Sequence, residues 1–150
     1  PMATLSRTRT VAAPPQSVWE VLADFGALSG WAGFVDHSCL LSPAGDDIGI
    51  GTTRRVQVGR NTLVERITEF DPPRSLAYDV QGFSRRLRRL SNRWTLTPAG
   101  AGTVVTLSTT IDIGPSRLQD LAAAAIARVS ARQLDRMLTG LAQKVQAPHV

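Results

Sequence analysis

The chain has 150 residues, 43% of them hydrophobic and 19% charged. That is room for one domain, 1–150, with a core large enough to need no metal or disulfide. Cys39 has no second cysteine to pair with, no apolar run approaches the ~20 residues that cross a bilayer, and a net charge of +5 admits an anionic partner without naming one. Basic charge is almost all arginine, Lys144 being the single lysine. The N-terminus lacks the apolar stretch of a signal peptide, and Pro1 ahead of Met2 reads as an expression remnant. The expectation is a cytoplasmic protein with no integral membrane segment.

Leu5 to Ala12 alternates, with Leu5, Arg7, Arg9 and Val11 against Ser6, Thr8 and Thr10, which predicts a β-strand. Pro15 suits a helix first turn. Val18, Trp19, Val21, Leu22 and Phe25 then fall at helical spacing, with Gly26 as the stop. One more helical turn fits Leu28 to Phe34. From Val35 the period changes to two. Strands are predicted over Val35–Ser42, Gly51–Val58, Thr62–Phe70, Ser75–Val80, the segment up to Thr97, and Thr103–Ile113. The turns between them carry Gly59-Arg60-Asn61, Asp71-Pro72-Pro73 and Pro98 to Gly102. Ser116 is a reasonable N-cap for a last helix of roughly thirty residues, ~45 Å long at the helical rise. Its apolar stripe includes Leu134, Met137, Leu138 and Leu141.

One strand, one or two short helices, six successive strands and a long helix make an α+β fold, with helices on one face of an antiparallel sheet of about seven strands. The patterns "VAAPPQSVWEVLADFGALSGW", "IGIGTTRRVQV", "ERITEFDPPRSLAYDV" and "NRWTLTPAGAGTVVTLSTTID", with the closing helix, resemble the START-related superfamily, the helix-grip or plant-allergen-like fold. The branch most similar is the bacterial polyketide cyclase/dehydrase and lipid-transport one. The resemblance spans nearly the whole chain and implies a curved sheet wrapped around the C-terminal helix with an internal cavity. It implies carriers of lipid-like or aromatic molecules and, in some members, aromatase/cyclases. The matching motifs are mostly structural, so activity has to be argued from the site.

The run "GFSRRLRRLSNRW" holds Arg85, Arg86, Arg88, Arg89 and Arg93. With Trp94 and Leu96 taken as inward, period-two counting places Asn92, Leu90 and Arg88 inward, Arg86 near the mouth, and Arg85, Arg89 and Arg93 outward. An inward Arg88 would grip a carboxylate or phenolate of a ligand, or pair with Glu65, which shares a face with Leu63 and Ile67. Thr53, Arg55 and Gln57 read as the outer face of their strand. Trp31 and Phe34 are placed to close one end of the cavity, Tyr78 offers a hydroxyl, and Met137 belongs to the stripe facing the sheet. Ordinary core packing is the competing reading for each. The alanine run at 122–125 would leave volume next to the sheet, or merely allow close packing.

His37 and Cys39 share a strand face, but no third group orients them for catalysis. His37 is therefore counted only with the cavity lining. There is no Cys/His set for zinc, no acidic calcium loop, no Gly-rich phosphate loop and no nucleophile elbow, so no metal and no cofactor is expected. The candidate ligand-lining residues are Trp31, Phe34, His37, Glu65, Tyr78, Arg88, Asn92, Trp94 and Met137. Binding of a small hydrophobic or amphipathic ligand ranks first. Acid–base cyclase or dehydratase chemistry on a polyketide-like substrate ranks second. Ribosome or RNA association through outer arginines ranks third, lacking stacking aromatics. A homodimer is left open.

Overall fold

The computed structural model describes residues 2–41, 47–82, 89–112 and 118–147, with side chains of the last segment from residue 131 onward. The elements are β1 (Met2–Val11), α1 (Pro15–Ala23), a 3-10 helix (Phe25–Gly30), β2 (His37–Leu40), β3 (Thr53–Val58), β4 (Asn61–Asp71), β5 (Ser75–Gln81), β6 (Arg89–Ala99), β7 (Gly102–Asp112) and α2 (Leu118–Gln146). The strands form one seven-stranded antiparallel sheet, ordered β1-β7-β6-β5-β4-β3-β2. This is the expected α+β helix-grip architecture.

Local chemistry accounts for the elements. Pro15 occupies the first turn of α1, where a missing amide costs nothing. Val18, Trp19 and Leu22 lie on its buried face, and Trp19 meets Phe70 of β4 edge-on at 5.2 Å. β7 alternates without a break: Thr103, Val105, Leu107, Thr109 and Ile111 are buried and the residues between them half-buried. Leu134, Met137, Leu138, Leu141 and Ala142 bury one stripe of α2. Gly140, on the same helix, lies where an added Cβ would sit 2.1 Å from the Trp31 carbonyl oxygen. The lack of a side chain there lets α2 close onto the chain just after the 3-10 helix.

Among the described residues β1 is an edge strand, hydrogen bonded only to β7. Its outward Thr4, Ser6 and Thr8 pair hydroxyl to hydroxyl with Thr110, Ser108 and Thr106 at 3.2, 2.7 and 3.4 Å. Its inward arginines reach α2: Arg7 lies 3.6 Å from Asp135, and Arg9 donates to Thr139 at 3.3 Å.

Several boundaries differ from the sequence reading. β1 begins at Met2 rather than Leu5, because β7 continues far enough to pair Met2 with Asp112. The strand expected over Val35–Ser42 is four residues long, because the Val35 amide is used in a turn to the Ala32 carbonyl. The β3–β4 turn has two residues, Gly59 and Arg60, since Asn61 already pairs with Val58. Gly59 takes φ 57°, the left-handed region that favours glycine. Arg85, Arg86, Arg88, the Ser116 cap and the side chains of the 122–125 run lie outside the described residues.

Candidate functional site

Between the concave side of the sheet and α2 is a cavity of about 90 Å³. Its apolar wall includes Leu28, Phe34, Val56, Leu63, Leu90 and Met137. Its polar groups are Glu65, Tyr78, Asn92, Thr109 and, from α2, Gln133.

The polar groups of the sheet form a stepped row, one from each of the strands β3 to β7. Arg54 of β3 stands opposite Glu65 of β4. Tyr78 of β5 stands opposite Asn92 of β6, which stands opposite Thr109 of β7. The row therefore crosses five strands of an otherwise apolar face. Such groups persist in a core only when they satisfy each other. Arg54 Nε and Nη2 both reach Glu65 Oε1, at 2.8 and 2.7 Å. Arg54 Nη1 donates to the Phe25 carbonyl at 2.9 Å. The guanidinium also lies 3.8 Å from the Phe25 ring centroid and 4.7 Å from that of Tyr78. Thr109 donates to Asn92 Oδ1 at 2.6 Å, and Trp94 Nε1 donates to the Tyr78 hydroxyl at 3.3 Å.

Burial sets the electrostatics. Arg54 is 3% and Glu65 6% exposed. Desolvation raises the Glu65 pKa above the ordinary carboxylate value, outweighing the charge and hydrogen bonds of Arg54 that pull it down. Burial likewise raises Tyr78, reinforced by the Glu65 charge and opposed by Arg54 and by hydrogen bonding from Trp94 and Asn92. At neutral pH the Tyr78 hydroxyl therefore keeps its proton.

Of the nine candidate lining residues, Phe34, Glu65, Tyr78, Asn92 and Met137 border the cavity. Three do not. Trp94 is buried but packs edge-on against Trp31, centroids 5.9 Å apart, with its N–H on Tyr78. Trp31 lies behind Trp94 and lines two surface grooves instead. His37 is exposed, because the phase of β2 is the opposite of what a lining role needs. Ser38 turns inward, its hydroxyl donating to the Gly26 carbonyl and accepting from the Ser29 amide, each at 2.8 Å. Arg88 lies outside the described residues.

An arginine does face Glu65, while the expected pairing with Arg88 falls outside the described residues. The arginine is Arg54, which the sequence reading passed over. The signal was available: Thr53, Arg55 and Gln57 outward implies Arg54 and Val56 inward. Arg93, expected outward, is exposed and forms a two-point ion pair with Glu69 at 2.7 and 3.2 Å. Among the described residues no group of His, Cys, Asp or Glu could hold a metal ion, and no helix is long and apolar enough to cross a membrane.

Comparison with known proteins agrees with this architecture. The Zhui aromatase/cyclase from Streptomyces sp. R1128 superposes with a TM-score of 0.72 at 24% identity, covering 98% of each chain. A START superfamily protein from Mycobacterium smegmatis superposes at 0.76 with 14% identity, covering 95% of this chain and 97% of that one. At these identities the likeness is one of fold. No curated protein matches the sequence. The family model described as polyketide cyclase / dehydrase and lipid transport matches residues 2–146, and the chain belongs to that family.

Proposed function

We propose that this protein binds a small amphipathic molecule between the sheet and α2. The observation that carries the reading is the row of hydrogen-bonded polar groups crossing an apolar cavity wall. A wall built only for packing has no need of Glu65, Tyr78, Asn92 and Thr109 side by side, since each must be hydrogen bonded to be tolerated. Apolar lining with a few convergent polar groups is the usual composition of a ligand site. The test is native mass spectrometry of protein purified under mild conditions, followed by thermal shift against phenols, alcohols and lipids. A co-purifying molecule, or stabilisation that grows with ligand concentration, is expected. No bound species and no shift across the panel would sink the reading.

A second reading is acid–base chemistry of the cyclase or dehydratase type. Its support is the juxtaposition of Glu65, whose pKa is raised by burial, with the protonated Tyr78 hydroxyl on the same cavity wall. A carboxylate with an elevated pKa beside a hydroxyl donor can move a proton at an enolisable carbon. Incubation with a poly-β-ketone mimic tests it: product formation that survives removal of both groups excludes this version.

A further inference from the structure

We propose that the cavity selects neutral hydroxyl-bearing ligands over carboxylates, because the group it presents to a guest is the second oxygen of Glu65 and not the guanidinium of Arg54. The inference rests on the binding reading above and specifies its ligand class.

All three guanidinium nitrogens of Arg54 are committed: Nε and Nη2 to Glu65 Oε1, and Nη1 to the Phe25 carbonyl. The planar group is held against the rings of Phe25 and Tyr78, and Arg54 does not border the cavity. The cation is a support behind the wall. Glu65 does border the cavity, and every contact it makes with Arg54 falls on Oε1. Among the described residues the one buried side-chain polar atom without a partner is Trp31 Nε1. Glu65 Oε2 takes part in none of the hydrogen bonds above and is not such an atom, so among the described residues it has no partner and is open at the cavity surface.

A carboxylate oxygen accepts hydrogen bonds and donates none while ionised. Its charge is balanced once, by Arg54. A ligand hydroxyl can donate to Oε2 while its own oxygen accepts from the neighbouring Tyr78 hydroxyl or Asn92 amide. A ligand carboxylate would place a second negative charge in the same desolvated space, with no free cation among the described lining residues to meet it. An unmet charge placed against the wrong ligand is one way in which a site discriminates.

The experiment compares matched skeletons by isothermal titration at neutral pH: 4-ethylphenol against 4-ethylbenzoate, and 2-naphthol against 2-naphthoate. The expected result is tighter binding of each phenol by about tenfold or more, as like-charge burial predicts. Equal affinities, or tighter carboxylates, would overturn the inference and leave the binding reading standing. Binding by neither series would remove both. Because Glu65→Gln alone strands a buried guanidinium, the variant used is Arg54→Met with Glu65→Gln, its fold checked by circular dichroism. There the preference is expected to shrink below about threefold as the charge conflict disappears. A preference that stays at the wild-type value would show that Glu65 is not the selector.

Discussion

Arg54 and Glu65 stand directly opposite one another on neighbouring strands, and a single carboxylate oxygen receives two of the guanidinium nitrogens. The pair is almost wholly removed from water. Breaking such a pair leaves an uncompensated charge, which costs about 3–5 kcal/mol, whereas replacing both partners by apolar groups is often neutral or better. Arg54→Ala and Glu65→Ala are each expected to lower urea-unfolding stability by that amount, and Arg54→Met/Glu65→Leu to restore most of it. A double variant no more stable than the singles would mean that the pair does more than balance its own charge.

The sign of the pH dependence follows from the raised pKa of Glu65. The folded state holds this proton more tightly than the unfolded chain. The associated stabilisation is complete below the ordinary carboxylate value of 4.5 and is lost as pH rises through the higher folded-state value. Wild-type protein should therefore lose stability relative to the Arg54→Met/Glu65→Gln variant as pH is raised from the ordinary carboxylate value towards neutrality. Paired thermal melts across that range check it, and parallel curves would contradict it.

Gly140 offers a test in which two principles oppose each other. In an exposed helix, alanine in place of glycine gains about 0.8–1 kcal/mol. Here the new Cβ would meet the Trp31 carbonyl oxygen at 2.1 Å, so α2 must move away. Forced repacking of this kind costs about 1–3 kcal/mol. Gly140→Ala is expected to lower the melting temperature despite its better helix propensity, and an unchanged or raised value would refute the contact.

Tyr78→Phe removes the acceptor of the Trp94 indole N–H and leaves a buried donor unmet. The expected cost is about 1–3 kcal/mol. Trp94 fluorescence should also change, since its hydrogen-bonding environment does. The Arg93–Glu69 pair on the outer face is the contrasting case: half-exposed as it is, Glu69→Gln should cost less than about 1 kcal/mol.

The fold could be read from the chain because each strand carries its own period-two signal and each turn its glycines or prolines. The residues on the inner face of β6 could be read the same way, from Trp94 and Leu96 back to Asn92. The Arg54–Glu65 pair was harder, since it depends on the length of a single turn. Treating Gly59-Arg60-Asn61 as a three-residue turn obscures the register. With a two-residue turn, counting four back from Val58 and four on from Asn61 brings Arg54 face to face with Glu65. His37 was misplaced for another reason: in a short edge strand the inward residue is Ser38, whose hydroxyl donates to the Gly26 carbonyl and accepts from the Ser29 amide, contacts that alternation cannot reveal. That Trp94 supports Tyr78 instead of touching the cavity depends on ring orientation, which no periodicity encodes.

The open edge of β1 has one more consequence. Among the described residues this ten-residue strand pairs with β7 on one side and with nothing on the other, and such an open edge is ordinarily a template on which further chains could stack. Arg7 and Arg9 point from that strand to Asp135 and Thr139 of α2. A foreign strand seeking to extend the sheet would have to bury two cations against its own inner face or pull them off the helix. Inward-pointing charges of this kind are one of the obstacles to edge-to-edge pairing.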